Sequence, residues 1–328
     1  MTTLRTATVI GNCRSRRVSV GLFGSRLGLY LLLLFAGVIW GATFSLALIA
    51  TREGLHPIAL TFSQALVGAL ILLSVCAAKH KLPSCSAENL KRYVVIAVLG
   101  TVLPGTLYFY AARHVPAGLL SITIAAVPIL TYAASLLFNI DRWYLARVAG
   151  LVFGFSGMYL LAQPETLPDI GMLPWIGVAF FCTLCYTTEN MYIELRLPMS
   201  IDMLPLLAGG LTVAAMLSFP IMIVVAEPTF IAPPFDHLDA ILLALGLIGA
   251  VAYLIFLYLI RAAGAVFASM MAYVITLSGV GWGMLLFDEQ HSTQVWMVLV
   301  LMITGMFLVT PNRQSGPEVN DPDPDRED

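Results

Sequence analysis

Between residues 28 and 310 the sequence alternates long apolar runs with short polar or proline-bearing breaks. The runs lie near 28–50, 57–77, 93–112, 117–138, 146–163, 172–192, 204–225, 239–260, 264–286 and 294–310. Each is close to the length, about 20 residues, that an α-helix needs to cross a hydrocarbon core about 30 Å thick. Breaks such as Lys79-His80-Lys81 and Pro233-Pro234 end one run before the next begins. Inside a bilayer each segment must satisfy its own backbone polar groups, and a helix does so unaided. The pattern predicts ten transmembrane helices in an all-α integral membrane protein.

Composition removes the alternatives. Hydrophobic residues make up 59% of the 328 and charged residues 11%, and the mean hydropathy is +0.89. These values exclude a water-soluble globule and a disordered chain, and the alternating strands of an outer-membrane barrel give a much weaker signal than these runs. A formal net charge of -2, with no concentrated basic face, predicts no nucleic-acid partner. The cations report orientation instead. With a cytosolic amino terminus the inner segments hold 15 of the 17 Lys and Arg, and only Arg52 and Arg113 lie outside. That bias predicts a multi-pass protein of the inner or plasma membrane with both termini cytoplasmic. Residues 1–27 form a basic cytosolic segment without the short apolar stretch of a signal peptide. Residues 311–328 carry six acids and too little apolar surface to fold, so they are read as a disordered cytosolic tail. The five cysteines are too scattered for a disulfide framework or a zinc site, and no metal or cofactor is expected. Cys182 and Cys185 form a CxxC inside an apolar run and are read as helix packing.

The chain also resembles itself. Displacing residues 96–161 by 148 positions lays Tyr110 on Tyr258, Arg113 on Arg261, Gly157 on Gly305 and Asp141 on Glu289, with 11 identities in 66 positions. Two five-helix units, 28–163 and 171–310, are the simplest account. Five is odd, so the second unit enters the membrane from the opposite side, which makes the units inverted repeats. Such repeats build two similar halves that can open a path first to one side and then to the other.

Polar residues inside the apolar runs are the candidate functional groups. Glu189 lies about four residues from the inner end of the sixth run, in Thr187-Thr188-Glu189-Asn190. A carboxylate there costs a few kcal/mol unless it faces the bundle interior, pairs or takes a proton. It either binds a substrate amine or carries a coupling proton, or it reaches the cytosolic interface beside Asn190 or Arg196. Trp40 and Thr43 in the first run and Tyr186 and Asn190 in the sixth are candidate residues of the substrate path, and Gln64 in the second is another. Tyr108 and Tyr110 are two positions apart and cannot both line one path. Arg113 and Arg261 at span ends are anchors or gate residues, and Asp141 and Glu289 are expected to tie neighbouring helix ends. Glycines at small-xxx-small spacing, such as Gly37 with Gly41 and Gly150 with Gly154, predict close helix approach.

The Trp40-Gly41-Ala42-Thr43-Phe44 run, Tyr108-Phe109-Tyr110-Ala111 closing the third span, Pro128 in the fourth and the acids after the fourth and ninth resemble the EamA family of drug/metabolite transporters. The resemblance covers roughly 28–310 and implies a ten-helix transporter with its substrate path between the halves. It departs at Gln64, where family members often carry an Arg. Families of this kind move amino acids, nucleotide-like metabolites, vitamins or drugs. The expected function is therefore secondary-active, alternating-access export of a small metabolite, with the lipid bilayer, a small-molecule substrate, a coupling proton and a second copy of the chain as the partners to consider. An intramembrane enzyme is the rival reading, disfavoured by missing HExxH and GxSxG signatures. A non-transporting receptor or assembly factor is a third.

Overall fold

The computed structural model describes residues 25–111, 114–115, 117–162, 170–226, 231, 235–287 and 294–309. These fold into α1 (Arg26–Arg52), α2 (Pro57–Ala78), α3 (Ala87–Val95), a π-helical stretch (Ile96–Val102), α4 (Leu103–Ala111), α5 (Ala117–Leu137), α6 (Leu145–Ala162), α7 (Leu173–Arg196), α8 (Met203–Val225), α9 (His237–Ala263), α10 (Ala265–Ser269), α11 (Met271–Phe287) and α12 (Gln294–Leu308). Among the described residues seven helices are long and apolar enough to cross a membrane: α1, α2, the α3–α4 unit, α7, α8, α9 and the α10–α11 unit. Helices α5, α6 and α12 add further apolar segments. The expected basic start and acidic tail lie outside the described residues, apart from the first few positions of α1 and its cap.

Polar caps set where several helices begin. The Ser25 hydroxyl accepts from the Gly28 amide, Asp202 from Leu204, and Asp236 and Asp239 form a reciprocal capping box. The third helical unit starts at Ala87, six residues before the apolar run begins. Ser86 caps it, and Glu88 pairs with Arg92 one turn on, so a polar first turn extends the helix beyond its apolar part. The sixth unit likewise runs to Arg196, past the expected end at 192.

Helix packing joins the two halves of the chain rather than folding each half on itself. Helix α2 packs on α8 and α6 on α12; α1 packs on α9 and α11, α7 on α4 and α5. Helix α2 also meets α9, and α3 meets α8. Exchanging each helical unit of the first half for its counterpart in the second maps these pairs onto one another. Small residues permit the approach. A Cβ on Gly150 would lie 2.6 Å from the Gly305 carbonyl oxygen, and one on Gly41 2.7 Å from the Ile275 carbonyl oxygen. Ser278 Oγ donates to the Gly37 carbonyl at 3.0 Å across the α1–α11 contact. In lipid, where the solvent is as apolar as leucine, such close packing and interhelical bonding replace the hydrophobic effect as the driving force. The outer faces of α1 and α8 remain apolar, with Leu27, Phe35, Met216 and Val224 exposed, as lipid contact requires.

Candidate functional site

A cavity of about 140 Å³ lies where α1, α2 and α4 of the first half meet α7, α8 and α9 of the second. Its aromatic wall is Trp40, Phe44, Tyr108, Tyr186 and Tyr253, and its polar wall includes Thr43, Gln64 and Thr101. No Lys, Arg, His, Asp or Glu lines it among the described residues. The Trp40 and Tyr253 rings stand 5.9 Å apart between centroids, and Phe256 supports both from behind.

Glu189 lies immediately behind this wall. It is 1% exposed, and its carboxylate accepts a hydrogen bond from the Tyr253 hydroxyl, which reaches it from α9. Because α7 continues to Arg196, Glu189 sits seven residues, or about 10 Å, from the helix end rather than four. Neither Asn190 nor Arg196 is its partner: Asn190 is buried on another side, donating to Thr131 Oγ1 of α5 at 3.4 Å. Among the described residues no cation pairs with Glu189.

The opposite wall of this pocket for the carboxylate is Gly100. A Cβ at that position would collide with both the Tyr253 hydroxyl and the Glu189 carboxyl group. Gly100 belongs to the π-helical stretch, where the Leu103 amide bonds the Val98 carbonyl five residues back. Pro104 follows with no N–H to give to the preceding turn. The widened turn and the absent side chain together leave the space that Glu189 and Tyr253 fill. Π-helical turns of this kind concentrate at functional sites.

Polar atoms near the cavity are incompletely bonded. The hydroxyls of Thr101, Thr106 and Thr187 are buried without a hydrogen-bond partner among the described residues. Gln64, two turns into α2, lies over Gly249, whose added Cβ would stand 2.6 Å from Gln64 Nε2. Thr43 bonds back to the Trp40 carbonyl at 2.6 Å.

The candidate sites named from sequence thus divide. Trp40, Thr43, Gln64 and Tyr186 meet at one cavity, Glu189 stands directly behind it, and Asn190 is buried away from it. Asp141 pairs instead with Arg147 at the start of α6, both side chains 6% exposed. Arg261 closes α9 onto the α7–α8 connection by donating to the Pro198 carbonyl. Arg113 and Glu289 lie outside the described residues. Tyr108 lines the cavity whereas Tyr110 meets His56 Nε2 at 3.1 Å, consistent with their two-residue spacing. The CxxC pair, Cys182 and Cys185, is buried and unbridged. Sequence reasoning did not assign Gly100 or Tyr253 to the site. The i,i+2 rule separates Tyr108 from Tyr110 but does not choose between them, and nothing local joins Tyr253 to a carboxylate 64 residues away.

Comparison with known proteins gives a consistent picture. The profile of the EamA-like transporter family matches twice, at residues 27–163 and 173–310. The chain is 26% identical over 301 residues to an Escherichia coli protein described as the uncharacterized inner membrane transporter YedA, covering 88% of this chain and 90% of that one. It is 29% identical over 153 residues to the uncharacterized transporter YvbV of Bacillus subtilis, covering 45% of this chain and 49% of that protein. A solved structure described only as "Crystal structure of protein" superposes with a TM-score of 0.71 at 16% identity, covering 87% of this chain and 96% of the other, which shows a shared fold.

Proposed function

The chain belongs to the EamA-like transporter family, and from that premise we propose that it is a secondary-active carrier of the inner membrane that exports a small metabolite by alternating access. One observation carries this reading: a cavity walled by helices of both halves, with a buried carboxylate behind it. An inner-membrane location is supported by the similarity to YedA and by the distribution of Lys and Arg. The ten-span, inverted-repeat arrangement is supported by the doubled family match and by a packing pattern that is unchanged when the halves exchange roles.

With the amino terminus cytosolic, Trp40 to Ala47 occupy the outer half of α1, which puts this wall of the cavity in the outer half of the membrane. Beneath it the cytosolic helix ends are tied by Glu194 accepting from the Ala265 amide at 3.0 Å and by Arg261 donating to the Pro198 carbonyl. Opening inward breaks some of these ties and makes their counterparts in the other half. Glu189 is the group that exchanges partners during the cycle. A buried carboxylate is costly while it is charged and alone, so it alternates between a proton and a bound ligand group.

The test is transport in reconstituted vesicles, screened across amino acids and nucleosides with and without a pH gradient. Gradient-dependent movement that Glu189→Gln removes is expected. Movement with the same pH dependence in the variant takes Glu189 out of the mechanism. Thiol labelling that found the loops at Asp141 and Glu289 on the same side would overturn the inverted repeats.

A further inference from the structure

Resting on the carrier reading above, we infer that the substrate is a small organic cation, an amine bearing about one aromatic ring and no free carboxylate. Four observations lead there. The wall offers five aromatic rings contributed by α1, α4, α7 and α9, so the cavity presents π-faces on several sides. Such faces attract a cation as well as a ring, more strongly once water is excluded. Among the described residues the formal charge nearest the cavity is the Glu189 carboxylate, and its only hydrogen-bond partner among them is the Tyr253 hydroxyl. An N–H donor of the ligand can take the place of that hydroxyl, and an ammonium makes the bond charge-assisted.

The third observation is what a carboxylate ligand would meet. No Lys, Arg or His lines the cavity among the described residues, and Glu189 would repel an anion across a low-dielectric gap. A zwitterion gains its ammonium contact but buries its carboxylate without a cation, a penalty that a simple amine escapes. The fourth is size. A cavity of 140 Å³ is close to the roughly 150 Å³ that holds one benzene molecule. Thr101, which lines the cavity, carries a hydroxyl that is buried without a partner among the described residues.

The experiment is isothermal titration of the purified full-length protein with a matched set of compounds: benzylamine, benzyl alcohol, phenylglycine, benzoate and the two-ring 1-naphthylmethylamine. Benzylamine is expected to bind saturably and at least about tenfold more tightly than benzyl alcohol or phenylglycine, benzoate not at all, and the naphthyl amine more weakly than benzylamine. Glu189→Gln should lower benzylamine to the level of benzyl alcohol, and Glu189→Asp should restore part of the preference. Benzoate or phenylglycine binding as well as benzylamine, or no saturable binding of benzylamine, overturns the inference. Because that comparison is made on the wild-type protein, it holds even if a variant fails to fold. Vesicle counterflow of labelled amino acids, nucleosides and benzylamine separates the two claims. Movement of an anion or zwitterion without benzylamine binding sinks the substrate class and leaves the carrier standing; benzylamine binding with no compound moved sinks the carrier and leaves the site.

Discussion

Two buried acids in this protein have opposite surroundings. Asp141 and Arg147 bury their side chains against each other, and Asp141 also accepts from the Arg142 amide at 2.8 Å. Glu189 is buried more completely, yet it has a neutral phenol for a partner and a cavity in front of it. A salt bridge with both carboxylate oxygens bonded holds two helix ends in one arrangement and resists exchange. A lone carboxylate is dear to bury and gains from any proton or cation that arrives, which suits a group that must change partners. The contrast teaches that burial alone does not mark a functional charge; its remaining bonding capacity and what it faces do.

The largest effect that would break this contrast is at the cavity. Glu189→Gln is expected to reduce gradient-driven transport to the background of empty vesicles while shifting the unfolding temperature little, read by thermal denaturation beside the flux assay. At the other acid the outcome reverses. Arg147→Ala leaves the Asp141 carboxylate uncompensated, at a cost of about 3–5 kcal/mol, and the unfolding temperature should fall sharply. Whatever protein remains folded should keep the wild-type dependence on a pH gradient.

Smaller changes sharpen the geometry. Gly100→Ala puts a methyl group against the Tyr253 hydroxyl and Glu189, and overpacking of this kind costs about 1–3 kcal/mol. Transport should weaken with it. Gly177→Ala is the control, since its Cβ would meet nothing within 4 Å. If both variants transport alike, the close packing at Gly100 is not a determinant of the site.

The smallest effect lies at the exposed end of the scale. The hydrogen bond from Lys81 Nζ to Asp202, 2.7 Å long, holds the Asp202 carboxyl below the usual carboxylate range. A carboxyl with a depressed folded-state pKa contributes stability above its unfolded value and loses it as pH falls through the folded value. The unfolding temperatures of wild type and Lys81→Ala should therefore differ slightly at neutral pH and converge below about pH 4. A difference that grows on acidification would contradict the assignment.

Much of the architecture was readable in advance because a bilayer imposes length and apolarity on every crossing segment. The runs along the chain anticipated the helices, and the inexact boundaries arose where polar turns, such as Glu88 with Arg92, extend a helix beyond its apolar stretch. Trp40, Thr43, Gln64 and Tyr186 were identifiable as polar or amphipathic residues inside apolar runs. Which of them share a cavity was not, because these helices are apolar all round. A soluble helix advertises its buried face through a 3.6-residue alternation, but α2 and α8 present apolar residues to lipid and protein alike, so that cue is missing.

Charge and hydropathy along the chain were enough for the class of molecule, its predicted orientation and the presence of an intramembrane acid, since each follows from transfer energies that act residue by residue. Folding in three dimensions was needed to bring Tyr253 to Glu189, to open the space at Gly100 and to give Asp141 its Arg147. Those are relations between helices, set by which small residues let two backbones approach, and no single segment carries them.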